Sequence, residues 1–195
     1  MQPKDNHKNK TSNSVAYVVR QPGTALAASL LSTLLFVLCS SRLGIAWTLG
    51  LPWLKLYVCA HLLGGYGLCS LLWGLVSVPE PDTGRRDLLL CGAVVTVGVY
   101  HAVAAAAYAL SFPLWLYYAV SVMWWVKTIG ALFIAFDFFV CRDVRRAWAG
   151  AFLILYSAAG APYYLPGILG LMQWGIAKVA AIALAIQLYR CMLQK

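Results

Sequence analysis

Residues 88–140 read LLLCGAVVTVGVYHAVAAAAYALSFPLWLYYAVSVMWWVKTIGALFIAFDFFV, and Lys127 and Asp137 are the only charged residues among them. A helix that crosses a lipid bilayer needs about 20 mostly apolar residues. This stretch is long enough for two such helices. Pro113 favours a break between them, because proline suits the first turn of a helix and disrupts its interior. The stretch therefore predicts a hairpin of two membrane-spanning helices.

The rest of the chain has the same apolar character. Of its 195 residues, 62% are hydrophobic and 11% are charged, whereas soluble domains are about 45–50% apolar and about 25% charged. A chain of this length cannot hide so much apolar surface from water. The composition excludes an ordinary soluble enzyme, a disordered chain and a disulfide-rich secreted domain, and it indicates an integral membrane protein.

Polar breaks and proline-containing turns divide the chain into six apolar segments, which we predict to be all-α. We expect a polytopic transmembrane helix bundle of six spans arranged as three hairpins. The fifth segment is short and also fits a re-entrant piece or a surface helix. The six segments are residues 24–41, 52–78, 88–110, 114–140, 147–161 and 167–188.

This count gives a predicted domain organisation. Residues 1–20 form a polar tail that we place in the cytosol, and residues 21–140 form a four-span helical core. Residues 141–195 form a C-terminal hydrophobic hairpin with a short basic tail. We expect no signal peptide, because the polar tail precedes the first apolar run and no small-residue cleavage pattern closes that run.

The excess of basic residues predicts the orientation. Fifteen Lys and Arg against six Asp and Glu give a net charge of +9. With six spans, eleven basic residues fall on the side of both termini, and only Arg42 and Lys55 fall on the other. Cytoplasmic loops carry such an excess, so we expect both termini in the cytosol, in the plasma membrane or an endomembrane. The basic residues form no dense face, so we expect no nucleic-acid partner.

Four polar side chains fall near the middle of predicted spans: Lys127, Lys178, His61 and His101. An ionised lysine at the bilayer centre costs about 2.5–3.5 kcal/mol on insertion scales, and no acidic residue lies at a matching depth in the sequence. We hypothesise a polar cavity, lined by these four residues, that admits an anion or an anionic headgroup.

A tryptophan precedes each of these lysines by one helical turn, since Trp124 precedes Lys127 and Trp174 precedes Lys178. Residues three or four apart share a helix face, so we expect a cation–π contact in each pair. The alternative is an ordinary bundle in which the lysines are neutral, snorkel, or bond to unpaired carbonyls, with no site.

The six cysteines include no C-x-x-C pair, so we expect neither a zinc site nor a redox dithiol. Cys141 and Cys191 lie beside basic residues at the ends of apolar segments, where palmitoylation occurs, and both are candidates for it. The sequence contains no H-E-x-x-H, G-x-S-x-G, Gly-rich phosphate loop or paired carboxylates. We therefore predict no catalytic residue, no metal, no cofactor and no enzymatic activity.

Three stretches resemble a MARVEL-type four-span domain, the family of myelin-and-lymphocyte, chemokine-like-factor and occludin-type proteins. They are RQPG at residues 20–23, RDLLL at 86–90 and IGALFIAFDFF at 129–139. The resemblance covers residues 20–140 and implies membrane apposition, vesicle trafficking or cell-junction organisation without catalysis. The chain departs from the family in its short connection at residues 111–113 and in the two apolar segments after residue 140.

Two functions follow as hypotheses. The first is a non-enzymatic membrane protein that organises a membrane domain, a cell junction or a trafficking vesicle through lateral helix packing and lipid contact. Its partners would be membrane lipids and other integral membrane proteins, with a homo-oligomer left open. The second is a channel or transporter for a small anion or neutral solute, with Lys127 and Lys178 lining the pathway.

Overall fold

The described part of the chain is all-α, as predicted, and contains no strand. A computed structural model describes residues 21–40, 52–76, 88–111, 113–141, 143–161 and 166–193. The predicted cytosolic tail at residues 1–20 lies outside the described residues. The helices are α1 (Pro22–Leu38), α2 (Trp53–Val76), α3 (Leu88–Ala109), α4 (Leu114–Val140), α5 (Val144–Ala159) and α6 (Gly167–Met192).

Four of the described helices, α2, α3, α4 and α6, are long and apolar enough to cross a membrane. Helix α1 is apolar but has only 17 residues, and α5 has 16 with two arginines in its first turn. At 1.5 Å per residue such helices reach about 25 Å, short of a hydrocarbon core about 30 Å thick. The prediction of six spans is therefore not supported. The described residues support a multi-pass bundle with four candidate spans.

Successive helices pack side by side, and α6 returns to contact both α1 and α2. The contacts run in antiparallel register. Ser32 of α1 donates a hydrogen bond to the Ala60 carbonyl of α2 over 2.7 Å, whereas the later residue Gly67 meets the earlier residue Ala25. The helices thus form a closed ring. One end, which we call the base, is where α1 begins and α6 ends; the other, the turn end, is where α1 ends and α2 begins.

An apolar core fills the half of the ring nearer the base. It is built from the second halves of α2, α4 and α6, the first half of α3, Ala149 and Leu153 of α5, and Ala25 of α1. Helices α5 and α6, which follow residue 140, contribute to this core together with α1–α4. Fully buried members include Leu71, Leu72, Val94, Val97, Ile134, Phe138, Leu153, Leu184 and Leu188.

Candidate functional site

A cavity of about 330 Å³ lies between this core and the turn end of the ring. Each of the six helices contributes residues to its lining, which is rich in hydroxyl, imidazole and ammonium groups. We call it the polar cavity. Its polar and aromatic lining residues are Ser29, Ser32, Thr33, Phe36, Tyr57, His61, Tyr100, His101, Tyr108, Tyr117, Ser121, Lys127, Tyr156, Trp174 and Lys178.

The structure brings all four residues of the hypothesised cavity together, because Lys127, Lys178, His61 and His101 all line it. They come from four helices, α4, α6, α2 and α3. Trp174 also lines the cavity. Trp124, the sixth residue of the prediction, is not part of the lining.

Lys127 is the most deeply buried charged residue of the described part, with 1% of its surface exposed. Its Nζ lies 4.4 Å from the ring centroid of Tyr100 and 4.9 Å from that of Tyr156. Among the described residues it has no hydrogen bond and no ion pair. The ammonium group is therefore held by two aromatic faces and leaves its three donors to the cavity.

Lys178 faces the cavity from α6 in a similar way. Its Nζ lies 4.4 Å from the ring centroid of Phe36 on α1, and it too lacks a hydrogen bond or ion pair within the described residues. The prediction that each lysine contacts the tryptophan one turn before it is therefore wrong. The described cation–π contacts of the two lysines are with Tyr100, Tyr156 and Phe36. The long lysine side chains reach aromatic rings on neighbouring helices.

Trp124 has a structural role instead. Its ring is 7% exposed, and its Nε1–H donates to the carbonyl oxygen of Ser157 on α5 over 3.1 Å. The hydrogen bond directs the indole N–H toward α5. It ties α4 to the last turn of α5, which positions Tyr156 beside the cavity.

A chain of hydrogen bonds runs from one histidine to the other and on to a tyrosine. The Nδ1 atoms of His61 and His101 are 3.3 Å apart, and His101 Nε2 lies 3.1 Å from the hydroxyl oxygen of Tyr156. Both imidazoles are buried, at 7% and 3% exposed. A neutral imidazole has one donor and one acceptor nitrogen, so one histidine donates to the other.

Aromatic rings hold these histidines in place. Tyr57 and Tyr108 stack with their centroids 4.6 Å apart and their planes at 6°. His61 stacks on Tyr108 at 5.5 Å and meets Phe36 edge-on at 4.8 Å. The wall on this side of the cavity therefore presents aromatic faces around two polar rings.

No carboxylate of the described residues lies in the cavity beside the lysines. Within the described ranges the acidic residues are Asp137 and Asp143, and neither lines the cavity. Asp143 caps α5, where its carboxylate accepts a hydrogen bond from the Arg145 backbone N–H over 3.0 Å. A buried charge is normally paired with an opposite charge. The polar cavity instead offers two ammonium groups, which suits a negatively charged ligand, while the Ser29, Ser32 and Thr33 hydroxyls of its lining donate to backbone carbonyls.

The polar cavity ends at the apolar core. On α4 the lining reaches Lys127 and the core begins at Ala131. On α6 the lining reaches Ala181 and the core begins at Leu184. On these two helices the polar lining therefore gives way to the apolar core toward the base.

The two candidate palmitoylation sites differ in burial. Cys141 follows α4 and is exposed. Cys191 is 6% exposed and belongs to the core, because α6 continues to Met192 and packs its last turns inward. The position of Cys191 argues against its acylation in the folded chain. The described residues contain no group of three metal-ligating side chains.

Sequence reasoning missed the hydroxyl and tyrosine part of the lining. The signal is a polar stripe at helical spacing, because residues separated by three, four or seven positions share one face. Helix α1 carries Ser29, Ser32, Thr33 and Phe36 at this spacing. On α2 and α3 the stripes are Tyr57 with His61 and His101 with Tyr108.

Comparison with known protein families, characterised proteins and solved structures finds no match to this chain. The resemblance to MARVEL-type domains therefore has no support from a related protein. Any functional assignment rests on the chemistry of the polar cavity.

Proposed function

We propose that this chain is a membrane carrier that binds a small anion in the polar cavity. The observation that supports this most is the pair Lys127 and Lys178, which face one cavity to which no described carboxylate contributes. Removing an ammonium group from water without a counter-charge costs several kcal/mol. An anion between the two lysines would offset that cost.

The size and lining of the cavity limit the kinds of ligand that it can bind. About 330 Å³ falls at the small end of the range of small-molecule pockets, roughly 300–1,000 Å³. Ser29, Ser32 and Thr33 of α1 also line the cavity, but their hydroxyls donate to backbone carbonyls, so the two lysines supply the positive charge that an anion would meet. The ligand we propose is a compact anion such as an inorganic oxyanion or a short carboxylate. A neutral solute would leave both lysines uncompensated.

The closed base favours a carrier over a channel. A channel needs a continuous polar pathway, whereas a carrier exposes a central site to one side at a time. Here the lining stops at the apolar core near Ala131 and Leu184. We infer that transport requires a second conformation in which this core opens.

The proposal includes a topology. Because Phe36 of α1 and Tyr156 of α5 line the cavity with the four longer helices, we place all six helices within the membrane as three hairpins. Both termini then face the same side, which the basic residues assign to the cytosol, in the plasma membrane or an endomembrane. The organiser of junctions or vesicles remains a prediction that no described contact specifically favours.

The first test is ligand binding by the purified chain in lipid nanodiscs. We would titrate chloride, sulfate and succinate, with glycerol as the neutral control, and follow thermal stability and heat of binding. A ligand at 100 times its Kd stabilises the folded state by about 2.7 kcal/mol. We expect at least one anion to stabilise the chain and glycerol to have no effect.

Variants then locate the site. Lys127→Gln and Lys178→Gln remove one charge each and should weaken anion binding at least tenfold. Lys55→Gln is the matched control, since Lys55 is an exposed lysine of α2 that does not line the cavity. Transport is tested in liposomes by counterflow of labelled anion. The proposal fails if no anion of the panel binds, or if both cavity variants bind like the unmodified chain.

A further inference from the structure

His61, His101 and Tyr156 form a series of hydrogen bonds in the same cavity as the two lysines. The proposed anion site does not depend on these hydrogen bonds. His101 is the central member of the series, with Nδ1 facing His61 at 3.3 Å and Nε2 facing the Tyr156 hydroxyl at 3.1 Å. Both nitrogens of one buried ring are thus engaged. Such an arrangement fixes how many protons the pair can hold.

The two rings carry four nitrogens and, when neutral, two ring hydrogens. A hydrogen between the two Nδ1 atoms makes one of them the donor and the other the acceptor. With one further proton, both Nε2 atoms are protonated and the single Nδ1 hydrogen is shared, so that His101 Nε2–H donates to the Tyr156 oxygen. A second further proton would place hydrogens on both Nδ1 atoms, facing each other across 3.3 Å. The pair therefore accepts one proton and no more.

We propose that the His61–His101 pair takes up one proton when the cavity binds its anion, so that transport is proton-linked. This rests on the proposed anion site. The physical reason is charge balance: a third cation beside two lysines is unfavourable while the cavity is empty, and an anion removes that repulsion. By thermodynamic linkage, a proton that favours the anion is favoured by it to the same extent.

The groups around the histidine pair support proton uptake, rather than release, when the anion binds. In the described part, every titratable side chain of the cavity is a lysine, a histidine or a tyrosine, so no carboxylate is available to bind the proton or to balance it. Helix α1 contributes only the uncharged Ser29, Ser32, Thr33 and Phe36. The titratable groups on the other elements are Tyr57 on α2, Tyr100 and Tyr108 on α3, Tyr117 and Lys127 on α4, Tyr156 on α5 and Lys178 on α6.

The experiment measures how many protons the whole chain, in nanodiscs, takes up for each sulfate that it binds. Sulfate stays fully ionised near neutral pH, so any proton taken up goes to the protein. Calorimetry in two cationic buffers with different heats of ionisation gives the number of protons per sulfate. We expect a value approaching one. In the same pH range the Kd for sulfate should rise up to about tenfold for each unit of increasing pH.

Variants assign the proton to the pair. The double substitution His61→Gln with His101→Gln should bring the count close to zero and remove the pH dependence of sulfate affinity, because either imidazole alone still has a nitrogen that can accept a proton. His7→Gln is the matched control, because His7 is the third histidine of the chain and lies in the predicted tail outside the described residues. It should keep the count of the unmodified chain. If the cavity variants do not fold, ¹⁵N-histidine NMR of the unmodified chain reports ring protonation with and without sulfate.

The outcomes separate this inference from the proposed function. Sulfate binding without proton uptake overturns the inference and leaves the anion site standing. A count near two contradicts the single shared Nδ1 hydrogen, and uptake that persists when both histidines are replaced in one chain assigns the proton to a group outside the pair. If neither sulfate nor any other anion of the panel binds, the anion site fails and the inference falls with it.

Discussion

His61 and His101 face each other through their Nδ1 atoms at 3.3 Å, although 40 positions separate them in the chain. Gly65 makes the approach of α2 and α3 possible, because a Cβ at this position would lie 2.9 Å from the Cβ of His101. Two Cβ atoms on neighbouring helices are essentially never found this close to each other. The glycine thus sets the geometry of the histidine pair.

Gly65→Ala should push α3 away from α2 and separate the two imidazoles. Overpacking of this kind costs about 1–3 kcal/mol, and we expect proton uptake with sulfate to fall as the pair opens. Thermal unfolding and the calorimetric proton count measure the two effects. Gly92→Ala is the control on α3, where an added Cβ meets nothing within 4 Å. Equal stability of the two variants would contradict this role of Gly65.

Lys127→Met should stabilise the empty chain while it weakens anion binding. The substitution replaces an unpaired buried ammonium group, whose desolvation costs several kcal/mol, by an apolar side chain of similar length. Unfolding curves in nanodiscs without anion and with sulfate measure the change. A loss of stability in the empty chain would show that the contacts with Tyr100 and Tyr156 outweigh the burial of the charge.

Trp124→Phe removes the hydrogen bond to the Ser157 carbonyl and keeps most of the ring. We expect a loss of about 0.5–1.5 kcal/mol in the free energy of unfolding, together with weaker anion binding because α5 is no longer tied to α4. The neighbouring substitution Trp125→Phe is the control, since that ring is 59% exposed. Similar effects of both substitutions would show that the indole N–H of Trp124 has no special role.

Thiol labelling should distinguish Cys141 from Cys191. In chains that keep one cysteine each, a membrane-permeant maleimide should react readily at the exposed Cys141 and slowly at Cys191, which is packed in the core. Denaturation should abolish the difference. Fast labelling of Cys191 in the folded chain would restore it as a candidate for palmitoylation.

The sequence predicted much of this site but not its contacts. Lys127, Lys178, His61 and His101 could be found because each is polar in a long apolar run, and depth along a helix follows from counting residues. Their partners could not, since a side chain in a bundle meets other helices as readily as its own. The choice of Tyr100, Tyr156 and Phe36 depends on how the helices are rotated.

The count of membrane spans shows a related difficulty. Hydropathy marks α2, α3, α4 and α6 clearly, whereas α1 and α5 are too short to be assigned by length. The shared core also joins helices on both sides of residue 140. Sequence patterns report the composition of each segment, and they carry little information on which segments pack together.

The apolar core below the polar cavity has a kinetic consequence. If the proposed carrier must separate Ile134, Phe138 and Leu184 in every cycle, each turnover disrupts close packing that in the described state leaves these side chains fully buried. Such a step has a large activation enthalpy, in the way that unfolding does. Transport should therefore be slow, saturate with anion concentration and accelerate several-fold for every ten degrees of warming, whereas diffusion through an open pore depends only weakly on temperature.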